Sequence, residues 1–143
     1  IISGRTKHFI NAFGEELMID NVETALSRVC EVCGAQVKEF TGAPIYMSEQ
    51  GSGAHEWIIE FAVEPRDLSY FTDYFDKQLQ SLNSDYEAKR YKDITLKAPV
   101  VHVAKEGLFY QWMSNRGKLG GQNKVPRLSN EREYMETLLE LNR

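Results

Sequence analysis

The sequence predicts an α+β domain in which a small mixed sheet of about three to four strands is covered by helices. Its 143 residues match the length of one ordinary domain. Apolar residues make up 42% of the chain, and no apolar run is long enough to cross a membrane. Short β-branched runs alternate with segments of helical periodicity, which gives the order β-α-β-β-α-α-β-α-α. We therefore expect residues 1–143 to fold as one two-layer domain.

The first two elements are a strand and a helix. Residues 8–13 alternate enough between apolar and polar side chains for a short strand. Asp20 or Asn21 is the expected N-cap of a helix that runs to about Cys33, and Gly34 supplies its stop.

A β-hairpin follows this helix. Residues 36–48 have the pattern of an extended strand, in which Pro44 indicates an edge position or a bend. Residues 50–53, Gln-Gly-Ser-Gly, form the expected turn, and residues 57–63 form the second strand.

Two further helices come next. Asp67 is the expected N-cap of the first, whose apolar side chains recur at helical spacing. Asn83 is the expected cap of a shorter helix over residues 86–91, in which Tyr86 and Arg90 share one face. The apolar residues of the first helix are Leu68, Phe71, Phe75, Leu79 and Leu82.

The chain ends with a strand and two helices. Residues 99–104 are strand-like, and residues 108–115 have a helical pattern. A final helix is expected from residue 128 to the end, with Ser129 or Asn130 as its N-cap.

The net charge of −4 argues against a general nucleic-acid binder. The charge is uneven, however, because residues 105–127 hold five basic side chains against one acidic side chain. This segment therefore indicates a confined anion site.

Within that segment, residues 116–127 show no periodicity, and a loop of this length in a compact domain is usually functional or disordered. Its glycines permit close backbone approach, and a lysine there acts as a mobile point charge on phosphate oxygens. The glycine spacing matches neither the P-loop nor the dinucleotide fingerprint, so a solvated basic turn is the alternative. The candidate phosphate-binding residues are Lys118, Gly120, Gly121, Gln122, Lys124 and Arg127.

Cys30 and Cys33 have the spacing of a redox dithiol or of half a zinc site. They stand at the end of a helix rather than at its start, and no second cysteine pair exists in the sequence. We expect reduced, packed thiols, no metal site and a cytoplasmic protein, since the N-terminus has no signal-peptide profile. The start without Met suggests a domain of a longer protein.

Five motifs carry a family resemblance. They are Ser-Gly-Arg at 3–5, Gly-Glu-Glu at 14–16, Val-Glu at 22–23, the pair Tyr86 and Arg90, and Gln-Asn-Lys-Val-Pro-Arg at 122–127. The first three resemble the start of the small C-terminal domain of acyl-adenylate-forming enzymes. The last two resemble the auxin-responsive acyl acid amido synthetase family, from whose plant members the chain departs at residues 12–16 and 50–53.

The resemblance implies a ligase that works in two steps. A carboxylate attacks the α-phosphate of ATP to give an acyl-adenylate and pyrophosphate, and an amine, usually of an amino acid, then attacks the acyl carbon. The partner of this chain would be an N-terminal domain that holds the acyl acid and most of the site for ATP and Mg²⁺. The 143 residues alone would be inactive.

The resemblance also implies roles for single residues. Lys124 would be the catalytic cation that reaches the α-phosphate or the acyl oxygens, while Pro126 and Arg127 would fix the shape of the loop. Tyr86 and Arg90 would be structural. Residues 1–7 would be the hinge on which the domain rotates. The hinge residues are Gly4, Arg5, Thr6 and Lys7.

Two alternatives remain open at this stage. An acyl-coenzyme A ligase shares the adenylation step and differs in its nucleophile. A non-catalytic domain is the other alternative, in which Lys118, Lys124 and Arg127 bind an anion or the acidic surface of a partner protein.

Overall fold

A three-stranded sheet lies at the centre of the fold, in a computed structural model that describes residues 9–47, 51–115 and 125–143. The strands are β1 (Phe9–Ile10), β2 (Leu17–Met18), β3 (Gln36–Tyr46), β4 (Gly53–Val63) and β5 (Val100–Val103). The helices are α1 (Ile19–Cys33), α2 (Leu68–Leu82), α3 (Ser84–Arg90), α4 (Leu108–Asn115) and α5 (Glu133–Leu141), and Tyr91–Asp93 form one 3₁₀ turn. In the ranges described, no helix has the length and hydrophobicity needed to cross a membrane.

The central sheet is mixed, as the sequence predicts. β3 and β4 form an antiparallel hairpin in which Thr41 lies opposite Ile58, and β5 runs parallel to β4 on its other side. Pro44 lies in β3, an edge strand of the sheet, which agrees with its expected position. β1 and β2 form a separate antiparallel pair, with Ile10 opposite Leu17.

Helices cover both faces of this sheet, so the domain has three layers rather than the two expected. Trp57 and Ile59 of β4 belong to a first core cluster with side chains of α1, α2 and α3. Ile58 points to the opposite face, where it belongs to a second cluster with side chains of α4 and α5. A strand that is buried on both faces carries consecutive apolar residues, which explains the run Trp-Ile-Ile.

The helix ends show where local signals succeed and where they fail. Gly34 ends α1 in the left-handed conformation at φ 67°, and its N–H bonds the carbonyl of Cys30, so the predicted stop is confirmed. The predicted N-cap, Asp20 or Asn21, is wrong, because the cap is Met18. Asn21 instead accepts the backbone N–H of Met18 at 3.1 Å from within the first turn.

The two predicted caps of α2 and α3 are confirmed. The Asp67 carboxylate accepts the N–H of Tyr70 at 3.2 Å, and the Asn83 side chain accepts the N–H of Tyr86 at 2.8 Å. These local bonds satisfy backbone donors that a helix start otherwise leaves unpaired.

The final helix begins later than predicted, at Glu133 instead of residue 128, and neither Ser129 nor Asn130 caps it. Leu128 forms an isolated bridge with Gly42 of β3, and the Ser129 N–H bonds the Gly42 carbonyl at 3.1 Å. Residues 128 and 129 therefore lie extended along the sheet edge and cannot begin a helix.

Strand boundaries differ from the predicted ones, most clearly in β4 and at the first strand. β4 begins at Gly53, earlier than the predicted residue 57. The first strand ends at Ile10 rather than at the predicted residue 13, because residues 12 and 13 form a turn, and its partner β2 was not expected from the sequence. A strand of two residues is too short to produce a recognisable alternation, because the period needs several residues to show.

Gly42 faces the ring of Trp57, its opposite residue in the hairpin. A Cβ at position 42 would lie 2.4 Å from Trp57 Cζ3. Because Trp57 is fully buried, Gly42→Ala should lower the free energy of unfolding by about 1–3 kcal/mol, measured by urea denaturation. In a Trp57→Leu background the same change should cost less, and an equal cost in both backgrounds would refute the steric explanation.

Candidate functional site

Most residues of the site predicted from the sequence lie outside the described residues. They are Lys118, Gly120, Gly121, Gln122 and Lys124 of the loop and Gly4, Arg5, Thr6 and Lys7 of the hinge. Arg127 is described, and so are the residues on either side of 116–124, Asn115 at the end of α4 and Val125.

The post-loop segment, residues 125–131, is bound tightly to the outer edge of β3. The Gly42 N–H bonds the Arg127 carbonyl at 2.9 Å, and the Thr41 hydroxyl donates to the Pro126 carbonyl at 2.6 Å. Val125 is buried in the second core cluster and Leu128 in the first. The residues that directly follow Lys124 are therefore held in the fold by core packing and by bonds to β3.

Arg127 lies between two carboxylates. Its guanidinium donates from Nη1 to Glu23 at 3.0 Å and from Nε to Glu39 at 3.1 Å. The same group lies 5.2 Å from the centroid of the Phe40 ring. These contacts tie the post-loop segment to α1 and β3, and they suit a residue that fixes the shape of the loop. A phosphate would have to compete with both carboxylates for Arg127. Phosphate binding by this residue stays a prediction.

Tyr86 and Arg90 bond a common partner, Asp76 of α2. Arg90 holds this carboxylate with two bonds, from Nε at 2.9 Å and from Nη2 at 2.6 Å, and the Tyr86 hydroxyl donates to it at 2.7 Å. Burial, followed by the charge of Asp76, raises the pKa of Tyr86 well above its ordinary value. The bonds to Asp76 raise the pKa of Arg90, which stays charged.

Asp76 was missed by sequence reasoning, which named Tyr86 and Arg90 alone. Its carboxylate is almost fully buried, and it follows Phe75 directly on α2. An acidic residue next to the apolar face of a helix is a signal for such a pair, because a carboxylate is rarely buried without a partner.

A second buried pair, Glu15 and His55, was also missed. Both side chains are fully buried, with 2.5 Å between Glu15 Oε2 and His55 Nε2, and the other Glu15 oxygen accepts the Phe13 N–H at 2.8 Å. Glu15 lies in the stretch where the chain departs from the plant pattern. Its contacts assign it a structural role: it joins the turn after β1 to the central strand.

Glu56 and Glu60 of β4 point toward the second cluster and find cationic or amide partners there. Glu56 accepts Arg132 Nη2 at 2.9 Å and lies 2.6 Å from His102 Nε2. Burial lowers the pKa of Arg132, but its bonds to Glu136 and Glu56 outweigh that effect and raise it. Glu60 accepts the N–H of Gly107 at 2.7 Å, next to the start of α4, where a helix favours negative charge.

Cys30 and Cys33 carry free thiols at the end of α1. Burial raises the pKa of both thiols, which is opposite to the shift that a reactive redox cysteine requires. The raised pKa values argue against a reactive redox pair, and both side chains are only partly buried.

Across residues 9–47, 51–115 and 125–143, no three His, Cys, Asp or Glu side chains are grouped so as to hold a metal ion.

Comparison with known proteins points to one family. A family model described as "GH3 family C-terminal domain" matches residues 20–133. Two solved structures, described as "GH3.15 acyl acid amido synthetase" and "AtGH3.15 acyl acid amido synthetase in complex with 2,4-DB", share the fold with TM-scores of 0.72 at 20% and 18% identity. Each match covers 95% of this chain but only 26% of the solved chain. A comparison with curated protein sequences found no match.

Proposed function

This chain belongs to the GH3 family as its C-terminal domain, and from this membership we propose that it is the mobile domain of an ATP-dependent acyl acid amido synthetase. The proposed enzyme is a ligase that adenylates a carboxylic acid and transfers the acyl group to an amine or an amino acid. The observation that carries the proposal is the family match over residues 20–133, which confirms the resemblance noted in the sequence. The two structural relatives are named as acyl acid amido synthetases.

The partner in this proposal is an N-terminal adenylating domain of the same protein. The chain spans about a quarter of the length of the solved synthetases, which supports a further domain. That domain would hold the carboxylic acid and most of the site for ATP and Mg²⁺.

Lys124 is proposed to act by charge rather than as a base. An ordinary lysine is cationic at neutral pH, and a cation near the α-phosphate or the acyl oxygens stabilises the negative charge that develops there. Lys118, Gly120, Gly121 and Gln122 would add backbone and side-chain donors around the phosphates. The fixed position of Val125 supports this role, because a catalytic charge must be held at a defined distance.

The hinge is proposed at Gly4, Arg5, Thr6 and Lys7, whose backbone dihedral angles would absorb the domain rotation. The rotation would exclude water during adenylation and then admit the amine.

The free thiols of Cys30 and Cys33 support the cytoplasmic setting that we propose for this enzyme.

The proposal is tested by ATP–pyrophosphate exchange. We expect the full-length protein, given ATP, Mg²⁺ and a panel of carboxylic acids, to catalyse exchange that depends on one class of acid. The 143-residue chain alone should catalyse none, because it lacks the domain that holds the substrates. Exchange by the isolated chain, or no exchange by the full-length protein with any acid of a broad panel, would contradict the proposal.

A further inference from the structure

Four large apolar side chains are exposed at the end of the central sheet where β3 ends and β4 begins. Each of them is between 49% and 65% exposed. Aromatic residues and methionine are enriched in the contacts between proteins, and neighbouring apolar side chains in solvent mark such contacts. The four residues, named here the entry-end surface, are Tyr46, Met47, Tyr91 and Ile94.

Gly53 brings the two halves of this surface together. It lies opposite Tyr46 in the hairpin, and its N–H bonds the carbonyl of Thr95 at 2.9 Å. Thr95 directly follows Ile94, whose N–H bonds the Tyr91 carbonyl at 3.2 Å. The exposed side chains at the end of β3 and those of the turn after α3 therefore meet at one end of the domain.

The turn that carries Tyr91 and Ile94 is strained. Lys92 and Asp93 both adopt the left-handed conformation, at φ 55° and 56°, which residues other than glycine rarely do. The Asp93 carboxylate pairs with Arg90, which holds the turn in place. Backbone strain is concentrated at functional sites. Tyr91 and Ile94 belong to neither core cluster, so core packing does not explain the strain.

The chain enters the domain at the same end. Phe9 is the first described residue, and it pairs with Met18 in the β1–β2 hairpin. Four residues later, the ring centroid of Phe13 lies 5.3 Å from that of Tyr46. Four residues of extended chain span at most about 14 Å. A domain that precedes this one in the same protein is therefore attached close to the entry-end surface.

The size of the relatives indicates which partner covers this surface. The chain spans only 26% of each solved synthetase, and the matching family model describes a C-terminal domain. A preceding domain that is tethered beside an exposed apolar surface has a high effective concentration there. A second copy of the chain, or a separate protein, would have to compete with it.

We propose that the entry-end surface is the docking face for the N-terminal domain of the same protein. The inference rests on the proposed function, which supplies that domain, and it adds the residues of the contact. Docking removes the apolar side chains of Tyr46, Met47, Tyr91 and Ile94 from water, which favours the contact.

The opposite end of the sheet provides the control positions. β4 runs from Gly53 to Val63, a distance of about 33 Å along the strand. At its far end, Val32 and Tyr70 line a cleft together with Val63. Val32 and Tyr70 are each 50% exposed, so they match the entry-end residues in exposure and differ from them in place.

Photo-cross-linking in the full-length protein tests the inference. p-Benzoylphenylalanine replaces Tyr91 in one variant and Tyr70 in the other, and the cross-linked peptides are identified by mass spectrometry. We expect intramolecular cross-links from position 91 to the N-terminal domain and none from position 70. Cross-links between two copies, equal cross-linking from both positions, or no cross-link from position 91 would overturn the proposal.

A charge placed on the surface gives a second readout. Ile94→Glu puts an unpaired carboxylate into the proposed contact, so it should weaken docking about fivefold and lower the yield of the cross-link from position 91. Val32→Glu is the matched control and should leave the yield unchanged. Both side chains are at least half exposed, so neither change reaches the core. A yield in Ile94→Glu equal to that in Val32→Glu would refute the docking face.

Neither readout depends on catalysis, and this separates the inference from the proposed function. Intramolecular cross-links in a protein that shows no ATP–pyrophosphate exchange would support the docking face and count against the proposed function alone. Exchange without such cross-links would overturn the docking face alone.

Discussion

Asp76→Ala should lower the free energy of unfolding of this domain by about 3–5 kcal/mol, the largest stability effect that we expect of any single substitution. The carboxylate is almost fully buried and accepts two bonds from Arg90 and one from Tyr86. Its removal leaves the Tyr86 hydroxyl without its partner in the interior, while Arg90 keeps only Asp93 and the Leu96 carbonyl. The loss is therefore mainly the cost of poorly compensated buried groups rather than the value of the pair.

Asp73→Ala provides the control on the same helix. Its carboxylate is 61% exposed and pairs with Lys77 at 3.2 Å, so the substitution should cost less than about 0.5 kcal/mol. Urea denaturation of both variants at neutral pH gives the comparison. Similar losses for Asp73→Ala and Asp76→Ala would contradict the role assigned to the buried carboxylate.

Lys124→Ala in the full-length protein should slow adenylation about 10²- to 10³-fold, the effect typical of removing one group that stabilises developing negative charge. The loss should appear in ATP–pyrophosphate exchange. Breakdown of a supplied acyl-adenylate should change far less, because in that reaction no bond to the α-phosphate of ATP is being made.

Lys77→Ala is the matched control for charge. This lysine is 67% exposed and pairs only with Asp73 among the described ion pairs, so its removal changes the net charge equally without touching the loop. It should leave exchange at the wild-type rate. Equal losses in both partial reactions of Lys124→Ala would refute the role assigned to this lysine.

Features that depend on local chemistry could be predicted from the sequence. Gly34 ends α1 because only glycine adopts a left-handed conformation without strain, and Asp67 and Asn83 cap their helices through bonds three residues away. The β3–β4 hairpin follows from two extended runs around a glycine turn. Each of these signals lies within a few residues of its effect.

Features that depend on distant partners could not be predicted. Ser129 is a residue type that often caps helices, yet the backbone of residues 128 and 129 pairs with Gly42 at the sheet edge. Likewise, nothing near Glu15 in the sequence indicates that His55 lies beside it. The third layer was missed for the same reason, since the burial of both faces of β4 is set by where α4 and α5 pack.

The candidate site divides in the same way. The motif at 122–127 is recognisable because of its resemblance to a family, and the family match over residues 20–133 confirms that resemblance. The fixation of the post-loop segment by Thr41 and Gly42 is a tertiary feature and has no signature in the motif itself. The motif thus indicates the chemistry, while the fold shows which contacts hold the post-loop segment in place.

The identity of the acyl product decides the proposed function. The full-length protein should be given ATP, Mg²⁺, an accepted carboxylic acid, a mixture of amino acids and coenzyme A, and the products should be identified by mass spectrometry. We expect an N-acyl amino acid together with AMP and pyrophosphate. An acyl-coenzyme A thioester as the main product, or no acyl product at all, would contradict an acyl acid amido synthetase.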